Sequence, residues 1–170
     1  MTFMSNNGVF SPVTAEAFRN AMSDLPAAVS LLTTLDSSGQ PRGATVSAVS
    51  SLSLDPPLVL VCLDNGSDTL AALPEGHEFL LHIAADGQQD AAYALARKGE
   101  SKFSAFEWSP AVSELPLIAG STLAMHCLVE ALLPGGDHTI VVGRIEAIAH
   151  DETGTPIVYH RRQMLPASAH

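Results

Sequence analysis

Positive charge is scarce in this chain. Eight Lys and Arg stand against eighteen Asp and Glu, a formal net charge of −10. So acidic a chain offers no electrostatic footprint to nucleic acid and is repelled by anionic membranes. Aromatics make up 5% of the residues, and there are only two cysteines. Two cysteines build no disulfide framework. Cys62 and Cys127 both sit in apolar, strand-like runs and are expected to be buried free thiols in a reducing cytoplasm. No apolar run is long enough to span a bilayer, and residues 1–10 lack the basic start and apolar core of a secretion signal. No two histidines fall at the spacing of one helix face, and Cys-x-x-Cys is absent. His126 and Cys127 are neighbours that point to opposite faces of a strand, so no metal site is expected. Also missing are a Gly-x-Ser-x-Gly elbow, a base beside either cysteine, and the Gly-x-Gly-x-x-Gly turn of a parallel dinucleotide fold.

What is present is a chain of 170 residues, 46% hydrophobic and 15% charged. That is one domain with a real core, without internal repeat or boundary. So little charge on so many small apolar residues implies that a partner subunit covers part of the surface.

Residues 1–12 read as a loose arm. Thr14 is placed to cap a helix running to Met22, with Phe18, Ala21, Met22 and Leu25 as its buried stripe. Residues 27–35 read as a strand, Asp36 to Gly39 as a turn, and Pro41 leads into the next strand. Residues 58–63, apolar throughout, suit a central strand. Asp64 to Thr69 is a turn, with Ser67 or Asp68 capping a short helix over residues 70–73. A short strand is expected at 78–84. A second helix starts at Asp86 and stops at Gly99, with Arg97 and Lys98 in its last turn. Residues 122–132 and 138–150 form two long strands, residues 157–160 a last one, and residues 165–170 a tail. Hairpins dominate. The expected fold is mainly β with peripheral α, an antiparallel barrel or sandwich of about six strands.

The chemistry concentrates in residues 43–63. This stretch opens with small and hydroxylated residues, turns at Asp55-Pro56-Pro57, and runs on as the apolar strand. The two prolines exclude a helix and central ladder bonding at that point. Thr45, Ser47 and Val49 would share one face; Val46, Ala48 and Ser50 the other. Small side chains let a ligand approach the backbone, and hydroxyls with free N–H groups suit a phosphate or a polar ring edge. An ordinary Ser/Thr-rich hairpin would read the same way. His138, directly after a tight turn at the mouth of a strand, can project into a cleft or have no role. Lys102-Phe103 is either a cation–aromatic pair at a site or a solvated lysine over a core ring. Tyr159-His160-Arg161-Arg162 is either a phosphate clamp or a solvated basic end.

These pieces resemble the flavin reductase family with the FMN-binding split-barrel fold, the reductase components of two-component flavin monooxygenases. The resemblance spans residues 18–162. It rests on Phe18 to Met22, Val29 to Thr34, Gly43 to Leu63, Lys102-Phe103, Gly136-Asp137-His138 with Val142-Gly143-Arg144, and Tyr159 to Arg161. Ala28 and Met164 depart from the family pattern, where glycine and an aromatic are common. The resemblance implies a Greek-key-like antiparallel barrel of six to seven strands. Thr45, Val46, Ser47, Ser50 and Ser51 would line the flavin ring edge and ribityl chain. Cys62, Leu63, Asp64, Ser67 and Thr69 would face its tail and phosphate. Lys102 and Phe103 would stand beside the flavin, His138 near flavin and nicotinamide, and Tyr159 and Arg161 would close the site. The implied activity is hydride transfer from NADH or NADPH to N5 of FMN or FAD. A homodimer would release reduced flavin to a separate monooxygenase. The rivals are an oxidase of pyridoxamine-phosphate type, a non-catalytic flavin carrier or sensor, and, weakest, a lipocalin-like barrel.

Overall fold

The structure, a computed structural model, describes residues 12–99 and 101–167. The expected arm lies outside these residues except for Pro12. Helix α1 (Ala15–Ser23) begins where Thr14 accepts from the Ala17 N–H at 3.1 Å. Its apolar stripe is not buried: Phe18 is 55% exposed, Met22 47% and Leu25 62%. No described part of this chain packs over that face.

The strands follow as β1 (Ala27–Ala28), β2 (Ser30–Leu35), β3 (Pro41–Val46), β4 (Val49–Leu54) and β5 (Pro57–Asp64). Helix α2 (Asp68–Ala71), β6 (Glu78–Ile83) and helix α3 (Gln89–Leu95) come next. A 3-10 turn at Ser101–Ser104 leads to the two-residue strands β7 (Ser109–Pro110) and β8 (Pro116–Leu117). The chain closes with β9 (Leu123–Gly135), β10 (His138–His150), β11 (Ile157–His160) and β12 (Gln163–Pro166). The expected tail is therefore partly strand: Leu165 pairs with Val158, because residues 161–162 turn the chain back along β11. No helix among the described residues is long and apolar enough to cross a membrane.

Seven strands form one antiparallel sheet in the order β3-β2-β6-β9-β10-β5-β4. Laid flat, its two edges would stand roughly 29 Å apart, at about 4.8 Å per neighbour. Yet the edge strands β3 and β4 are joined by Ser47 and Ala48 alone. Val46 to Val49 can span at most about 11 Å. The sheet must therefore curl until its edges nearly meet; the Cys62 N–H bonds the Ala48 carbonyl at 3.0 Å, which extends the β4–β5 ladder up to the seam. The result is a barrel split between β3 and β4. The continuous faces expected across residues 43–50 are broken at this point, and the chain changes edge there.

The barrel interior holds Leu32, Val59, Val61, Leu63, Phe79, Leu81, Cys127, Val129 and Val141. It is packed closely enough that a Cβ on Gly143 would lie 2.6 Å from the Phe79 ring. A second core of Val29, Leu31, Ala91, Leu95, Ile118 and Ile157 lies on the outer side of β2, beneath α3. Strand β2 is thus buried on both faces, so it reads as an unbroken run. Its buried hydroxyls are satisfied: Thr33 donates to the Pro116 carbonyl at 2.6 Å and Thr34 to the Glu78 carbonyl at 2.8 Å. His82 is fully buried, with Nδ1 2.9 Å from the Leu31 carbonyl and Nε2 accepting the Ile118 N–H at 3.3 Å. Strand β5 alternates, with Val59, Val61 and Leu63 inside and Leu58, Leu60 and Cys62 half-buried outside. Cys62 is therefore not the buried thiol expected, whereas Cys127 is, and both are free.

Candidate functional site

A cavity of about 310 Å³ opens at the seam. Ala44 to Ala48 form one wall, and Cys62, Leu63 and Asp64 at the end of β5 form the next. Gly66, Ser67 and Asp68 lie below, Leu95 to Lys98 and Lys102 close the far side, and His138 stands at the mouth. Many of these side chains are small, so a flat ligand can reach the backbone where the ladder is interrupted.

Local bonding holds each part in place. The Thr45 hydroxyl donates to the Ala92 carbonyl at 2.6 Å, locking β3 to α3. That hydroxyl proton is therefore already used. Lys102 donates to the Gly43 carbonyl at 3.0 Å. Gly43 is needed there, because a Cβ would meet the Leu32 carbonyl at 2.9 Å and Leu95 at 2.9 Å. The lysine keeps two further N–H donors. Burial lowers its pKa, Asp68 opposes the shift and Arg42 adds to it.

The turn after β5 is fastened to the turn before β10. Asn65 donates its backbone N–H to the Asp137 carbonyl and its side-chain amide to Gly136, both at 3.1 Å, and accepts from Thr139 at 2.9 Å. This fixes His138 opposite Asp64, on the rim of the cavity. The His138 Nδ1 lies 2.7 Å from the Asp137 carboxylate, which the contact holds below the usual aspartate pKa. Nε2 has no partner among the described residues.

Thr45, Val46, Ser47, Cys62, Leu63, Asp64, Ser67, Lys102 and His138 are thus brought to one cavity. The other expected site residues stand elsewhere. Ser50 and Ser51 lie exposed on β4 beyond the seam, with the Ser50 hydroxyl donating to the Ser51 carbonyl. Thr69 is buried at α2 and, with Phe103, borders a narrow gap of about 10 Å³ beside Lys102 and Asp68 instead of the cavity itself. Phe103 packs against Phe106 and Trp108, with ring centroids 5.4 and 5.8 Å away, behind Gly43. Arg161 is no free clamp: its Nε lies 2.7 Å from Asp24, its N–H meets the Ser23 carbonyl, and its φ of 50° turns it onto α1. Tyr159 lines a neighbouring cavity of about 380 Å³ with Tyr93, Arg162 and Met164, and that cavity shares Thr45, Val46 and Ser47 with the first.

Ala44 and Ala48 of the small-residue stretch also line the site, as do Gly66, Asp68, Leu95, Ala96, Arg97 and Lys98, which the sequence does not single out. The sequence places the two cations in the last turn of a helix, but α3 stops at Leu95 and leaves them at the cavity. One signal was available. In a chain with eight basic residues, three fall between positions 97 and 102. No group of three or more potential metal ligands occurs among the described residues.

Comparison with known proteins agrees with this architecture. The family model of the flavin reductase like domain matches residues 22–168. The chain is 35% identical over 153 residues to a flavin reductase (NADH) of Kitasatospora aureofaciens, covering 88% of this chain and 80% of that one. It is 33% identical over 145 residues to the actinorhodin polyketide dimerase of Streptomyces coelicolor, covering 85% and 82%. Among solved structures, NADH:FAD oxidoreductase SgcE6 of Streptomyces globisporus C-1027, in complex with NAD and FAD fragments, superposes with a TM-score of 0.84 at 29% identity. That likeness covers 94% of this chain and 96% of the other. By the extent of the match and by its split barrel, this chain belongs to the flavin reductase like domain family.

Proposed function

We propose that this chain is an NAD(P)H-dependent flavin reductase, with FMN or FAD reduced in the seam cavity and handed to a separate flavin-dependent monooxygenase. The observation that carries the reading is the meeting of an interrupted strand, a half-buried lysine and His138 around one cavity. The donor set fits a flavin. Backbone at Ser47 and Ala48 offers polar groups to a ring edge, small residues admit a flat ring, and Lys102 with Ser67 suits a phosphate.

When bound, the flavin and the nicotinamide carry the hydride chemistry themselves. The chain's part is placement. Lys102 anchors one end, and the Thr45–Ala92 bond keeps the wall rigid. His138 is oriented by Asp137 to present Nε2 at the mouth. The adjoining cavity bordered by Tyr93, Tyr159 and Arg162 is the entry for the nicotinamide, since it shares the Thr45–Ser47 wall. No acid or base is required for the transfer, which accords with the lack of a catalytic constellation.

A homodimer is part of the same proposal. The uncovered stripe of α1 and the edge strand β4, where Leu54 is 92% exposed, supply apolar surface for a second copy. Two free cysteines accord with a cytoplasmic protein.

The test is steady-state consumption of NADH and NADPH with FMN, FAD or riboflavin as acceptor. Activity is expected with at least one pair. Flavin bound without nicotinamide oxidation would make the protein a carrier instead. In His138→Ala, kcat/KM for the nicotinamide should fall on the order of tenfold, with flavin Kd changing much less.

A further inference from the structure

The turn that follows β5 closes without the Asn65 side chain. Asp64 Oδ1 accepts the Gly66 N–H at 2.7 Å, and the Asp64 carbonyl accepts the Ser67 N–H at 2.9 Å. Asn65 is exposed, and an exposed turn asparagine ordinarily bonds its own turn or water. Here both of its polar atoms reach residues 71 and 74 positions away. Nδ2 donates to the Gly136 carbonyl at 3.1 Å, and Oδ1 accepts from the Thr139 hydroxyl at 2.9 Å. The backbone N–H adds a third bond, to the Asp137 carbonyl at 3.1 Å. The three bonds bracket His138 on both sides.

The bracket falls where the sheet gives least support. Strand β6 last pairs with β9 at Leu128, and the β5–β10 ladder ends at Asp64 and His138. The end of the β9–β10 hairpin is therefore a two-stranded tip, with β5 along one edge only. A two-stranded ribbon is weakly held by itself. Asp137, in that tip, is the residue whose carboxylate lies 2.7 Å from His138 Nδ1.

We propose that Asn65 is a positioning residue for hydride transfer: it holds the β9–β10 tip so that His138 presents Nε2 at the mouth of the seam cavity. This rests on the flavin reductase reading. Asp64, Gly66 and Ser67 line the cavity, and Asn65, which stands among them in sequence, does not. It acts on the reaction through His138.

Asn65→Ala removes both side-chain bonds and keeps the backbone one. Because the site is exposed, the melting temperature should stay within about a few degrees. The kcat/KM for the nicotinamide should fall about fivefold, with flavin Kd changing less than about twofold. The double variant Asn65→Ala/His138→Ala should be no slower than His138→Ala alone, since a residue that acts through another has no effect once the other is gone. One readout needs no flavin. The ring-proton NMR signal of His138, assigned by its loss in His138→Ala, should move in Asn65→Ala towards that of a solvated imidazole. Thr139→Val removes only the donor to Oδ1. It should show the same changes at a smaller size, and it decides the matter if Asn65→Ala does not fold. Additive losses in the double variant, an unmoved His138 signal, or a flavin Kd that weakens in step with kcat/KM would each overturn the proposal. Failure of the unmodified protein to bind flavin would instead remove the reading beneath it, and the NMR comparison would still show whether Asn65 holds the ring.

Discussion

The two sides of the barrel are built on opposite principles. At the wall of β2, β6, β9 and β10, every strand has neighbours on both edges, and Phe79, Leu81, Val129 and Val141 are fully or almost fully buried. At the seam, β3 and β4 are edges, Ser47 and Ala48 are exposed, and the chain passes from one edge to the other without a ladder between. The wall holds the molecule together and the seam is left open for a ligand. The carbonyls of Ser47 and Ala48 are taken by the Val49 and Cys62 N–H groups, so what the interrupted ladder leaves for a ligand there are backbone N–H donors.

That contrast can be broken from either side. The largest effect is expected at the wall. Phe79→Ala should cost about 4 kcal/mol of stability, read by urea unfolding, while flavin Kd of the folded protein changes less than about twofold. Equal losses in stability and flavin binding would mean that wall and seam are not separate.

The next effect is a pH dependence lodged in the wall. Burial of His82 lowers its pKa from 6.5 to about 4. The folded state therefore prefers the neutral ring, and the unfolded state binds the proton first. Stability should be full above about pH 6.5 and fall as pH drops from there towards 4, by ~3 kcal/mol in all. His82→Gln should flatten that part of the profile in urea titrations at stepped pH. Asp36, at the other end of β2, is held well below the usual aspartate range by its bonds to Ser38 and Gln40. Its contribution is lost only in stronger acid.

The smallest stability change should come from the seam itself. Lys102→Ala should leave the melting temperature within a few degrees, yet weaken FMN relative to riboflavin at least tenfold, about 1.5–2 kcal/mol. The readout is the ratio of the two dissociation constants. An equal effect on both flavins would show that the lysine props Gly43 and does not hold the phosphate.

Much of the scaffold was legible because its signals are local. Thr14 as a cap, the Asp36 turn, the Asp55-Pro56-Pro57 turn and the two long strands are written in neighbouring residues. The small and hydroxylated run before the double proline also announced the cavity wall. Less legible was anything set by distant packing. The apolar stripe of α1 looked like a core face, because periodicity says that a face is apolar and not what covers it. Phe103, Thr69 and Arg161 lie near the right segments, yet Phe103 packs on Phe106 and Trp108, Thr69 is buried in α2, and Arg161 pairs with Asp24. Arg97 and Lys98 read as a helix end in the sequence, and one turn of difference in where α3 stops moves them from solvated helix surface to cavity wall.

By itself, the sequence determined an acidic, single-core, hairpin-rich β chain with its polar chemistry gathered between Thr45 and Ser67. Those properties follow from composition and from spacing along the chain. Only the tertiary structure decided that Ser47 and Ala48 sit at a seam, because a two-residue link becomes a barrel closure only when the other strands have been laid between β3 and β4. It also decided that Lys102, Asp68 and Arg42 border one narrow gap. Residues up to 60 positions apart meet there through the curl of the sheet, and no local periodicity encodes a distance of that kind.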